Sequence, residues 1–86
     1  MEAIGLLETR GLVPAVASLD TMAKAAHTRL VDMKVVGSGL VCVIIEGNVS
    51  AVKSAIEAGK AMYDGSDKLI SYNVIPRPHG DLSRML

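Results

Sequence analysis

Residues 31–45, VDMKVVGSGLVCVII, decide the fold of this chain. In the first half, apolar residues alternate with Asp32 and Lys34, as they do in a half-buried strand. In the second half, residues 40–45 are all apolar, which is typical of a strand covered on both faces. Gly37-Ser38-Gly39 stands between the halves, and this glycine-flanked connection predicts a β-hairpin.

A strand and a helix are predicted before the hairpin. Residues 3–9 form a short apolar stretch that ends at Arg10-Gly11 and predicts a first strand. A helix is then predicted from Pro14, whose missing N–H costs nothing in a first turn, to Arg29. Its apolar residues recur at helical spacing and predict one buried stripe, consisting of Val16, Leu19, Ala23, Ala26 and Leu30.

A second helix and a last strand are predicted after the hairpin. Asn48 is a good N-cap for a helix over residues 49–63, which Gly65 can end in the left-handed conformation. The predicted apolar face of this helix contains Val52, Ala55, Ile56, Gly59 and Met62. Residues 68–75 predict the last strand, which Pro76-Arg77-Pro78 stops.

The predicted order of elements is that of an α+β domain of the ferredoxin-like class, βαββαβ. We expect a four-stranded antiparallel sheet with both helices on one face, and a short C-terminal helix within residues 79–86. Because no linker or low-complexity segment interrupts the 86 residues, we expect a single domain, 1–86.

The composition predicts an oligomer. Half of the residues are hydrophobic, although a chain of 86 residues has little interior in which to bury them. Other subunits are therefore expected to cover part of the apolar surface. Nine basic and nine acidic residues balance, so no basic excess favours nucleic acid or an anionic membrane as a partner.

Three features favour a cytoplasmic protein. The longest apolar run, residues 40–45, is much shorter than the roughly 20 residues that a membrane-spanning helix needs. Residues 1–5 lack the basic-then-apolar layout of a signal peptide. The single cysteine, Cys42, cannot form an internal disulfide, which fits a reducing compartment.

Catalytic and metal-binding interpretations find little support. His27 and His79 each lack a second ligand at a suitable spacing. Ser38, His79 and Asp81 have the residue types of a catalytic triad, but nothing predicts a strained nucleophile or an oxyanion hole. Cys42 lies in the most apolar strand, where burial should raise the pKa of its thiol. We therefore expect no catalytic residue, no metal and no cofactor.

Gly37-Ser38-Gly39 has two interpretations. In the simpler one it is a tight turn in which glycine supplies a positive φ. A phosphate-binding loop is excluded because a strand follows and Cys42 occupies the position of the third glycine. The functional interpretation needs several copies of the chain, whose loops would meet on a symmetry axis. Backbone N–H groups and the Ser38 hydroxyl would then line a narrow opening.

Four blocks of sequence carry a resemblance to a known family. They are EAIGLLETRG at 2–11, MAKAA at 22–26, GSGLV at 37–41 and VIPRPH at 74–79. In this order and spacing they resemble the single-domain, hexamer-forming shell proteins of bacterial microcompartments. The chain departs from that pattern at residues 46–49, EGNV, where many relatives have Arg-Gly-Asp-Val. It also has Val35 where many relatives have a lysine.

The resemblance implies a structural protein rather than an enzyme. It implies a flat homo-hexamer that packs edge to edge with other shell proteins into a layer around encapsulated enzymes, which are further candidate partners. Gly37, Ser38 and Gly39 would line a central pore for small polar metabolites. Lys24 and Arg77 would lie at the edge between hexamers. No cofactor, metal, nucleic acid or membrane is implied.

Two other classes of function are alternatives. A ferredoxin-like regulatory domain that senses a small molecule has the same predicted elements but usually forms dimers or trimers. A small enzyme would need a convergent acid–base pair, which the sequence does not indicate. The mass of the assembly in solution separates the first alternative from a shell protein.

Overall fold

A computed structural model of the chain describes residues 2–76. These residues form four strands and two helices. In chain order they are β1 (Ala3–Arg10), α1 (Leu12–Ala25), β2 (Arg29–Val35), β3 (Leu40–Gly47), α2 (Val49–Tyr63) and β4 (Leu69–Ile75). The predicted C-terminal helix lies outside the described residues.

The four strands form one antiparallel sheet in the order β2-β3-β1-β4. β1 and β3 are therefore central, and β2 and β4 are the two edges. Both helices pack against the sheet and against each other. The ferredoxin-like α+β prediction is confirmed for the part of the chain that the structure describes, as is the β2–β3 hairpin.

The core lies between the helices and one face of the sheet. Alternate residues of β1 and β3 point to this face and are fully buried, while the residues between them are mostly only partly covered. The largest of the buried side chains are Leu7, Met22, Ile45, Val43 and Val52. We call this the helix face of the sheet and the opposite one the open face. The prediction that β3 is covered on both faces is thus only half right in the isolated chain.

Two glycines allow the close packing of this core. A Cβ on Gly5 would lie 2.8 Å from Val52 Cγ1 and 2.9 Å from Ile56 Cγ1. A Cβ on Gly59 would lie 2.9 Å from Met22 Cγ. These distances are shorter than any normal carbon–carbon contact, so α2 can approach β1 and α1 only because both residues are glycine.

The predicted stripe on α1 is wrong in part. The buried residues of α1 are Pro14, Ala15, Ser18 and Met22, whereas Val16 and Ala23 are exposed. The helix is apolar on more than one side, so its periodicity allows two choices of buried face. The observed face includes a polar residue, Ser18, which is fully buried. The helix also begins earlier and ends earlier than predicted, at Leu12 and Ala25.

The prediction for α2 is largely confirmed. Asn48 caps the helix, since its side-chain oxygen accepts a hydrogen bond of 2.8 Å from the Ala51 N–H. Gly65 follows the helix with a φ of +81°, the left-handed conformation expected there. The predicted buried positions are buried except Met62, which is exposed.

Candidate functional site

The hairpin connection is a tightly defined loop. Val36 N–H donates to the Leu40 carbonyl at 2.8 Å, and Leu40 N–H donates to the Gly37 carbonyl at 2.9 Å. Gly37, Ser38 and Gly39 are all exposed and all have positive φ, of +81°, +53° and +77°. The left-handed conformation of the glycines is as predicted, but that of Ser38 is not, because serine rarely adopts it.

Gly37 and Gly39 are favoured because their φ angles are positive, and not because a side chain would lack room. A Cβ on Gly37 or Gly39 would meet nothing within 4 Å. Both positions therefore have open surroundings, and a side chain there is opposed only by the left-handed backbone. The Ser38 side chain, between them, projects from the tip of a loop that has almost no bulk on either side.

A second loop holds this one in place. Gly11, between β1 and α1, donates its N–H to the Gly39 carbonyl at 2.7 Å. The buried Thr9 hydroxyl in turn donates to the Gly11 carbonyl at 3.0 Å. Gly11 has a φ of +103°, which favours glycine. Thr9 and Gly11 therefore support the loop, a role that the sequence analysis missed. The glycine between a strand and a helix was the available signal.

Lys24 lies far from the loop. It is in the last turn of α1, while the loop is bonded to the residue just before the first turn. Twelve residues of α-helix span about 18 Å, in a domain whose longest extent is 35 Å. The structure therefore does not bring Lys24 together with the loop residues, and we call these regions the Lys24 end and the loop end of the molecule.

The Lys24 side chain is exposed and lightly held. Its Nζ lies 3.0 Å from Asp20 Oδ2, one turn earlier on the same helix. Exposed pairs of this kind contribute only about 0.3–0.5 kcal/mol, so the ammonium group is easily released to another acceptor. Arg77, the second predicted edge residue, lies outside the described residues.

Four polar or ionisable side chains form a row across the open face of the sheet. Lys34, Cys42, Glu8 and Ser71 are neighbours on the four successive strands. The Ser71 hydroxyl donates to Glu8 Oε1 at 3.1 Å. Burial, and then the nearby Glu8 carboxylate, raises the pKa of the Cys42 thiol, as the sequence predicts. A thiol held in its protonated form is a poor nucleophile.

The described residues, 2–76, give no support for a catalytic histidine or for a metal-binding cluster. His27 is exposed at the end of α1. Within residues 2–76, no three side chains of His, Cys, Asp or Glu lie close enough together to hold a metal ion. No helix in the same range is long and apolar enough to cross a membrane. His79 and Asp81, the other members of the rejected triad, lie outside that range.

Large apolar side chains are exposed around the loop end. Val13 is 79% exposed, and it forms a patch with Leu12 and Val16 at the start of α1. We call these three residues the α1 patch. Val35, which is 72% exposed, lies beside the loop together with Val36. An isolated small domain rarely leaves this much apolar surface uncovered, so the loop end has the character of a contact surface.

Comparisons with known proteins show the family of the chain. The model of the BMC domain family matches residues 3–78. The chain is 47% identical to the bacterial microcompartment shell protein EutM of Salmonella typhimurium, over 99% of this chain and 88% of the relative. It is 45% identical to the shell protein PduA of Citrobacter freundii, over 99% of this chain and 91% of the relative.

A solved structure also matches. A microcompartment protein from Desulfitobacterium hafniense DCB superposes with a TM-score of 0.83 at 36% sequence identity. The match covers 93% of this chain but 43% of the solved chain, which is therefore about twice as long. The family match covers most of the chain, and two relatives agree over nearly all of it. This chain belongs to the BMC-domain family of bacterial microcompartment shell proteins.

Proposed function

We propose that this chain is a structural subunit of the shell of a bacterial microcompartment, inside the cell, and that its working form is a ring of six copies. The membership of the family supports the shell role. The observation that supports the ring is the exposed α1 patch at the loop end. The same membership favours a structural protein over an enzyme or a small-molecule-sensing regulatory domain.

The ring requires two different surfaces on each subunit. A cyclic assembly of identical chains uses a heterologous interface, in which one patch of a subunit packs against another patch of the next. The α1 patch offers one apolar surface, and the open face along the edge strand β2 offers another, where the half-exposed Val31 lies beside Leu6 and Ile44. Covering these side chains would remove from water much of the surface that the isolated chain leaves uncovered.

The loop is proposed to line the pore of this ring. Gly37, Ser38 and Gly39 lie at the tip of the β2–β3 hairpin, next to the α1 patch through the Gly11–Gly39 hydrogen bond. If that end faces the six-fold axis, six Ser38 hydroxyls surround an opening. Each hydroxyl can donate and accept a hydrogen bond, which suits small polar metabolites.

The Lys24 end is proposed to form the contacts between rings. It lies about 18 Å along α1 from the loop end, so it faces outward if the loop faces the axis. Lys24 can leave its weak pair with Asp20 to donate charge-assisted hydrogen bonds across the seam, each worth roughly 1.5–3 kcal/mol. Arg77 is proposed for the same seam, on the family resemblance alone.

The experiment that tests the ring is the mass of the protein in solution. Light scattering after size exclusion should give six times the chain mass of 9.0 kDa. Electron micrographs should show sheets or tubes for the wild type, and separate rings for Lys24→Ala. The matched control is Lys53→Ala, an exposed lysine on α2. A stable monomer or dimer would reject the shell subunit, while sheets of Lys24→Ala would reject the edge assignment only.

The pore is tested by flux through assembled shells. A leucine at position 38 would be strained, because Ser38 has a φ of +53°. Ser38→Asn is the better variant, since asparagine tolerates this conformation and its longer side chain narrows the opening. Passage of a small polar solute should fall, with rings and sheets intact. An unchanged flux would mean that the loop is only a hairpin turn and does not line the route of the solute.

A further inference from the structure

Val35 is an apolar residue in an unusual place. It is the last residue of β2, immediately before the loop connection, and it is 72% exposed. Its cross-strand partner is Val41, which is fully buried under the helices. Because directly paired residues in an antiparallel sheet point to the same side, Val35 lies on the helix face, beyond the cover of the helices.

The residue before it lies on the other side of the sheet. Lys34 pairs with Cys42 on the open face, and its Nζ lies 3.8 Å from Asp32 Oδ2. The two faces of the sheet therefore present different side chains next to the loop. The open face has a lysine with a nearby carboxylate, and the helix face has an exposed valine.

Resting on the proposed function, we infer that Val35 determines the specificity of the pore, because six copies form an apolar collar beside the ring of Ser38 hydroxyls. The collar favours small uncharged polar solutes over ions. A Ser38 hydroxyl can replace part of the hydration shell of a solute, whereas a valine side chain can replace none of it. An ion loses more than a neutral molecule when its hydration is not replaced.

The test measures a ratio of fluxes rather than a flux. Assembled shells are supplied with acetate and with glycerol, an anion and a neutral solute of similar size. Val35→Lys should raise the acetate-to-glycerol ratio about tenfold, which corresponds to about 1.4 kcal/mol in barrier height. The matched control is Ser54→Lys, which adds the same charge at an exposed position of α2, away from the loop and from the proposed contact surfaces, and should leave the ratio close to that of wild type.

A second variant keeps the test decisive if Val35→Lys does not assemble. Val35→Thr has nearly the same shape and adds only a hydroxyl, and it should also raise the ratio, by less than the lysine does. An unchanged ratio in assembled Val35→Thr shells would overturn the inference. So would an equal rise with Ser54→Lys, since total charge would then explain the effect.

These outcomes differ from those that reject the pore itself. If Ser38→Asn lowers glycerol flux but the Val35 variants leave the ratio unchanged, the pore is supported and the collar is rejected. If neither Ser38 nor Val35 variants alter any flux, the loop is not the route and the proposed pore fails first. A rise in the ratio for Val35→Lys and Val35→Thr, with Ser38→Asn lowering flux, supports both.

Discussion

The two faces of the sheet show how differently one set of strands can be used. On the helix face, alternate residues of β1 and β3 are fully buried, and glycines allow contacts that a single Cβ would block. On the open face, most of the neighbouring residues are only partly covered, although Ile4 is buried, and they include the polar row of Lys34, Cys42, Glu8 and Ser71. The helix face stabilises the subunit, and the open face is available for contacts and charge.

The largest expected effect comes from matched truncations of adjacent leucines. Leu7 is fully buried on the helix face, while Leu6 is partly exposed on the open face. Leu7→Ala should lower the free energy of unfolding by about 2–5 kcal/mol. Leu6→Ala should cost about 1 kcal/mol, since less apolar surface is lost from a half-covered position. Urea denaturation of both variants measures the difference. Equal costs would mean that another segment or subunit buries the open face as deeply as the helices bury the other.

A smaller effect is expected from adding one methyl group to the helix face. Gly5→Ala would place its Cβ within 2.8 Å of Val52 and 2.9 Å of Ile56, both of which are stiff β-branched residues. The resulting shift of α2 should destabilise the subunit by about 1–3 kcal/mol. Thermal unfolding measures the loss. A neutral substitution would show that α2 packs less closely on β1 than described.

One buried residue of α1, Ser18, is polar, and replacing it with an apolar residue should stabilise the protein. Ser18 is fully buried, and its hydroxyl has no hydrogen-bond partner among the described residues. Ser18→Ala removes an unsatisfied polar group and adds a better helix former, for a gain of about 1 kcal/mol. Unfolding in urea is again the measurement. A loss of stability would contradict the prediction, since it would mean that the Ser18 hydroxyl makes a hydrogen bond in the folded protein.

The smallest effect comes from the open face and depends on pH. The pKa of Cys42 is raised from its ordinary value of 9.0, chiefly by burial. The folded state therefore retains its thiol proton to a higher pH than the unfolded state does. This contribution to stability is complete below pH 9.0 and is lost as the pH rises through the folded-state pKa. The stability of the wild type should thus fall more steeply above pH 9.0 than that of Cys42→Ala. Parallel profiles would contradict the assignment.

The elements that the sequence predicts best are those with a local chemical signal. Asn48 is an N-cap whose side chain bonds within three residues, and Gly37 and Gly39 permit a turn that depends only on their own backbone angles. The continuous apolar run of β3 and the strand–helix order were enough for the fold class. For these features the neighbouring residues contain the necessary information.

The features that the sequence predicts poorly depend on packing over distance. α1 has apolar residues on two sides, and only packing against α2 and the sheet selects the face that includes Ser18 and Met22. The support of the loop by Thr9 and Gly11 joins segments nearly thirty residues apart. The glycine between a strand and a helix marks a special position, but no local pattern shows which residue it contacts.

The hydrogen bond from the Gly11 N–H to the Gly39 carbonyl also allows the opening rate of the loop to be measured. The Gly11 amide belongs to a surface connection, where most amides exchange their hydrogen with solvent quickly. Its bond to the loop should slow that exchange to the rate at which the two connections separate. Deuterium uptake at this one amide would therefore time the opening motions of the loop in the assembled protein. The stiffness of the loop could then be compared between variants without moving any solute through it.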